Sequence, residues 1–295
     1  MKMLERTVSW TWRLAVAGVA HVAGLMLGGG LAVALGWSPP QIPGHVDSAA
    51  PLLSLAGGMV LALGLAALAT GLGGRAWQRS LILGAFAFVV NAVGTAIETS
   101  AFMNLGGEPF MLLMNLPGSF LCALAVARLF PGPPAPSHVA GGTPGSTPAL
   151  RAARLSLGFM AFPFFYLVFG IAVAPLVIPY HEQLAFTLVP PMSTLLPVLF
   201  LRGALFLLVS VPVAMHWRDS RARLASAFSL AHFTAVGLSG LLQATFFPLA
   251  LRWIHGVEIL ATSICYGVAL AWLLFIPQAL APALKERQTV GEKNA

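Results

Sequence analysis

Eight apolar runs, each about as long as a bilayer is thick, leave this chain little choice of solvent. A hydrocarbon core of about 30 Å takes about 20 apolar residues in helical form, and a backbone immersed in lipid must satisfy its hydrogen bonds internally. Runs that meet this requirement are expected at 14–37, 51–72, 81–102, 110–130, 155–177, 195–215, 224–247 and 257–275. Charged residues make up 8% of the 295-residue chain and hydrophobic ones 58%. A soluble domain carries about 25% charged residues, too many for this chain to imitate. The net charge of +7 would suit nucleic acid on a soluble surface, but here it has another explanation.

Of the 16 Lys and Arg residues, all but Arg202 and Arg252 fall at one end of the eight expected spans. Lys2, Arg6 and Arg13 precede the first span, and Arg75 and Arg79 separate the second from the third. Arg128, Arg151 and Arg154 flank the middle of the chain. Arg218, Arg221 and Arg223 separate the sixth span from the seventh, and Lys285, Arg287 and Lys293 follow the eighth. Excess positive charge marks the cytoplasmic side, so both termini are expected in the cytoplasm, in a bacterial inner membrane. Trp10, Trp12, Trp77 and Trp217 fall at the same inner interface, Trp37 and Trp253 at the outer one, and Trp272 deeper. The start of the chain has the layout of a secretory signal, with Ala32-Val33-Ala34 as a cleavage site. Its apolar run exceeds the about 7–15 residues of a signal core, so it reads as the first span. Cys122 and Cys265 each lie inside an apolar run, as small packing residues do.

The stretch 131–148 reads PGPPAPSHVAGGTPGSTP, the composition of a flexible linker. It divides the chain into a four-helix half at 1–130, a cytoplasmic linker at 131–150 and a second half at 151–295. The expected fold is therefore all-α, with eight transmembrane helices arranged as two parallel four-helix halves. Faint self-similarity supports the division. Arg13-Leu14 opens the first span as Arg154-Leu155 opens the fifth. An offset of 145 then lays Gly58 on Gly203, Glu98 on Gln243 and Phe102 on Phe247. An even number of spans per half makes this a parallel repeat. Gly24-xxx-Gly28 on the first span suits close helix approach.

Ionisable groups inside a span cost several kcal/mol unless paired or hydrated, so each is a candidate for function. Glu98 lies near the outer end of the third span, Gln243 at the matching place in the seventh, and Arg202 about two turns below the outer end of the sixth. His255 and Glu258 open the eighth span from outside, preceded by Arg252. His181 and Glu182 are expected in the loop between the fifth and sixth. Arg202 is expected to pair with Glu98, or failing that with Glu258, and these groups together suggest an outer-half cavity that binds a small polar or anionic solute. His21 and His232 fall at similar depths and, if they faced each other, would suit two axial positions of a haem iron. Intramembrane histidines more often hydrogen-bond a neighbouring helix, so no cofactor is predicted.

Three motifs lead nowhere. Gly71-x-Gly73-Gly74 resembles a phosphate loop but lacks the strand before it and reads as a turn. Gly237-Leu238-Ser239-Gly240 matches the Gly-x-Ser-Gly of rhomboid proteases, yet His232 is on the same helix, about 10 Å away, and cannot serve as its base. His255-x-x-Glu258 offers two metal ligands without a second ligand motif. The run from Leu251 to Leu260 and the Ile97-Glu98-x3-Phe102 end of the third span are similar to segments of uncharacterised bacterial multi-pass membrane proteins. That resemblance implies the architecture and no activity. The favoured function is binding, sensing or transport of a small solute, with an enzyme disfavoured. The alternatives are a haem- or metal-binding redox protein and a structural or assembly protein.

Overall fold

The computed structural model describes residues 2–41, 49–103, 105–133, 147–184 and 186–275. Its helices are α1 (Lys2–Ala34), α2 (Ala50–Ala69), α3 (Ala76–Phe102), α4 (Glu108–Leu129), α5 (Pro148–Gln183), α6 (Met192–His216), α7 (Arg221–Gln243) and α8 (Leu249–Leu274). All eight contain a stretch long and apolar enough to cross a membrane, and no β-sheet occurs among the described residues. The surface is inverted relative to a soluble protein. Met26, Leu52 and Met215 are each more than 70% exposed while Arg202 and His232 are each 1% exposed. Apolar groups outside and polar groups inside is the arrangement lipid selects.

Local chemistry sets the helix ends. Thr147 caps α5 by accepting from the Leu150 backbone N–H at 3.2 Å, and Ser220 caps α7 by accepting from Arg223 at 3.3 Å, each relieving an orphan donor. Buried Arg79, in the first turn of α3, donates to the carbonyls of Ala69, Ala127 and Phe130. It thereby neutralises the C-terminal ends of α2 and α4 together. Trp217, just after the end of α6, is buried with its ring against Gly71. Trp272 lies in the last turn of α8 and is 63% exposed.

Several boundaries differ from expectation. α5 begins before 155 and continues past 177, so His181 and Glu182 belong to its last turn and not to a loop. Pro163, Pro175 and Pro179 lie within it; neighbouring helices and local adjustment accommodate proline in membrane helices. α8 begins at Leu249, not 257. Hydropathy excluded Arg252 and His255 from the span, but polar groups with partners can enter it. The linker expected at 131–150 falls mostly on residues outside those described.

Small residues bring the helices together. A Cβ on Gly24 of α1 would lie 2.5 Å from the Gly118 Cα of α4, and Gly28 meets the Leu113 and Met114 carbonyls. Pro117 has no N–H for the Leu113 carbonyl, which leaves that oxygen bare toward the Gly28 surface. α2 lies between α1 and α7: Gly58 faces Gly18 and His21, while Gly57 and Gly64 face Gln243 and Thr234. Gly94 of α3 abuts Phe206 of α6, Gly203 of α6 abuts Pro163 of α5, and Gly267 of α8 abuts Ser229 of α7.

The contacts have a pattern. Among the first four helices α1 touches α2 and α4, and α3 touches α4; among the last four, α5 touches α6 and α8, and α7 touches α8. Across the two sets, α2 meets α7 and α3 meets α6. Leu72 and Trp217, 145 apart by subtraction, form an isolated antiparallel bridge. Gly73 N–H donates to the His216 carbonyl and Arg218 N–H to the Gly71 carbonyl, both at 2.9 Å. The same offset exchanges these two bonds. It also relates the two wide π-type turns, Phe88–Val93 within α3 and Phe233–Leu238 within α7, which touch each other.

Candidate functional site

Helix α6 delivers Arg202 about 15 Å from its Met192 end, at 1.5 Å per residue. The side chain is 1% exposed and ion-paired with Glu98 of α3. Its guanidinium carbon lies 5.1 Å from the ring centre of Phe162, 5.3 Å from that of Phe206 and 5.9 Å from that of Tyr166. A carboxylate and three aromatic faces together replace the water this cation gives up. Glu98 keeps 30% of its side chain exposed, so the anion is the wetter partner.

Helix α8 delivers Glu258 about 13 Å from its Leu249 end. The residue is 7% exposed, and His255, one turn earlier, places Nδ1 3.1 Å from one carboxylate oxygen. The ring of His181 lies 5.9 Å from that of His255, on the approach from the helix ends. The other carboxylate oxygen is directed at Gly170 of α5, where a Cβ would be 3.5 Å away.

Glu98 and Glu258 line one cavity, with Phe162 and Tyr166 of α5, His232 and Val236 of α7, and Ile259, Thr262, Ser263 and Tyr266 of α8. Glu258, Thr262 and Tyr266 recur at four-residue spacing and so share a helix face. At the inner end, His232 is enclosed by Phe86, Phe206, Phe228 and Tyr266, with Ser210 Oγ 3.4 Å from its Nε2. Space for water-sized occupants is about 20 Å³, against about 10–15 Å³ needed for one water.

Of the residues singled out from sequence, Glu98, Arg202, His232, His255 and Glu258 come together here. Gln243 does not. Its amide donates to the Ser239 carbonyl of its own helix at 3.0 Å and packs on Gly57 of α2. Arg252 is half-buried and makes no ion pair among the described residues. His21 packs on Gly58 and Gly118, and His232 lies among a separate set of rings, so the structure does not face the two histidines toward one another. Ser239 is buried. No cluster of three or more His, Cys, Asp or Glu side chains suited to a metal ion occurs among the described residues.

Sequence reasoning missed Tyr166, Tyr266 and Thr262. A usable signal existed: the chain has only 3 Tyr residues, and a hydroxyl inside an apolar span needs a partner.

The fold and the inverted surface define a polytopic α-helical membrane protein. No protein-family model matches the chain, and no match to it was found among curated proteins or among solved structures.

Proposed function

We propose that this protein binds a small polar solute in the cavity between α3, α5, α7 and α8, in transport or sensing, with the arginine-rich face toward the cytoplasm. One observation carries the reading. Charged and polar side chains from well-separated stretches of sequence converge on one enclosed space, and such groups are retained in a membrane interior at a cost. The solute is polar and not simply anionic, because Glu98 already neutralises Arg202. The cavity as it stands holds a water-sized occupant, so it corresponds to a closed form, and a larger solute enters when α5 and α8 part from α3 and α6.

We further read the two sets of four helices as copies of one unit. The exchanged hydrogen bonds around Leu72 and Trp217 and the matched π-type turns support this. Under that relation Arg202 corresponds to Gly57 and Glu98 to Gln243. Gly57 and Gln243 are in contact just as Arg202 and Glu98 are. One member of the pair of equivalent places carries opposite charges and the other a neutral amide against a glycine, so the site is one-sided.

The competing reading is a structural clamp, which the bridging of α3 and α6 by Arg202 and Glu98 favours. A paired Arg202→Gln, Glu98→Gln replacement separates the two. Purified wild type is screened by thermal shift against small polar solutes, including zwitterionic, cationic and neutral ones. A binding site gives solute-dependent stabilisation that the folded double variant loses. Equal stabilisation of wild type and double variant by every active solute leaves the clamp.

A further inference from the structure

We propose that the cavity beside Glu258 binds one small monovalent cation, sodium or a proton carried as hydronium, and that this cation is the ligand, or the coupling ion, of the site. The inference rests on the reading of this cavity as a binding site and names what occupies its narrow part. Three observations support it independently.

The first is charge. Arg202 is committed to Glu98 and to three aromatic rings. The remaining carboxylate, Glu258, has only the imidazole of His255 beside it. With that imidazole neutral, the groups about the cavity sum to one negative charge. The second is unmet hydrogen bonding. The Tyr266 hydroxyl and the Thr262 hydroxyl are buried and have no hydrogen-bond partner among the described residues, and the residues are 1% and 6% exposed. Both residues line the cavity with Glu258. Buried polar groups in native proteins have partners, and the lone pairs of two hydroxyls beside a carboxylate are the oxygen donors a hard cation takes. The third is size. A space of about 20 Å³ accepts one water-sized occupant and excludes organic cations.

The titratable and charged groups that face Glu258 come from every helix around it. Glu98 of α3, Tyr166 of α5, His232 of α7 and Tyr266 of α8 line the cavity with it, His255 of α8 pairs with it, and behind these stand His181 of α5 beside His255 and Arg202 of α6 paired with Glu98.

The test uses the purified full chain in detergent and in liposomes. Thermal stability is measured in sodium, potassium and N-methylglucamine chlorides at constant ionic strength, across a pH series, with equilibrium binding of radioactive sodium in parallel. Sodium as occupant gives a saturable rise in Tm over N-methylglucamine and saturable isotope binding. Both are lost in Glu258→Gln and strongly reduced in Thr262→Val. A proton as occupant gives no sodium response. Liposomes carrying the protein then show a proton flux under an imposed pH gradient, which Glu258→Gln abolishes and Arg252→Gln leaves intact. Neither response in a wild type that is folded by its thermal transition overturns the proposal. Should a polar solute still stabilise that wild type through Arg202 and Glu98, the cation assignment alone fails and the binding-site reading survives. Should no solute do so, both fall.

Discussion

Breaking the Arg202–Glu98 pair from either side strands a charge, and the structure says which stranded charge is the more poorly solvated. Glu98→Gln leaves a guanidinium that is 1% exposed, whereas Arg202→Gln leaves a carboxylate with 30% of its side chain exposed. Removing one partner of a buried pair costs about 3–5 kcal/mol, because the other charge stays out of water. The full range applies to Glu98→Gln. For Arg202→Gln the stranded carboxylate retains some hydration, which lowers the charge contribution to about 1–3 kcal/mol. Lost contacts to Phe162, Phe206 and Tyr166 add about 0.5–1 kcal/mol each at most. The double replacement strands nothing and keeps two amides able to hydrogen-bond, so it should be more stable than the sum of the single changes by about 2–3 kcal/mol, the upper part of the range for coupled neighbours. The assay is a double-mutant cycle by reversible unfolding in mixed detergent micelles, with retained helicity checked by circular dichroism. Additive single effects would refute the burial argument. So would an Arg202→Gln penalty exceeding that of Glu98→Gln by more than the roughly 1.5–3 kcal/mol of its three ring contacts, since it would place the poorly solvated charge on the carboxylate.

Three further outcomes follow from the packing and the topology. Gly24→Ala places a methyl 2.5 Å from the Gly118 Cα and should lower stability by about 1–3 kcal/mol. Gly30→Ala, which meets nothing within 4 Å, should be near neutral; equal thermal shifts would contradict the α1–α4 interface. Arg79→Met removes the shared donor to three helix-end carbonyls, at about 3 kcal/mol for charged hydrogen bonds that are not fully additive, while exposed Arg75→Met should cost under about 0.5 kcal/mol. In intact cells, a cysteine at exposed Glu182 should react with an impermeant thiol reagent and one at Ser220 only after permeabilisation, with buried Cys122 silent in both. Labelling of Ser220→Cys in intact cells would reverse the orientation.

Sequence by itself determined the solvent, the number of spans and the alternation of their direction. Those follow from run length, hydropathy and the side on which basic residues accumulate, all properties of single segments. It also pointed to the Arg202–Glu98 partnership, because a lone cation at that depth requires an anion and few were on offer. Helix ends were less legible. Arg252 and His255 fell outside the expected eighth run, and Pro179 and His181 outside the fifth, yet His255 beside Glu258 and the neighbours of α5 carry them inside helices. The composition of the site was decided only by tertiary structure. Gln243, alike in sequence position to Glu98, turns to Gly57 because α2 and not α6 is its neighbour. His232 and His21, expected at similar depths, are faced by different helices. Tyr266 and Thr262 join Glu258 because α8 turns that one stripe inward, against α5 and α7. Which face of an apolar helix meets which partner depends on the other seven helices, and a mostly apolar sequence carries almost no polar stripe to announce it.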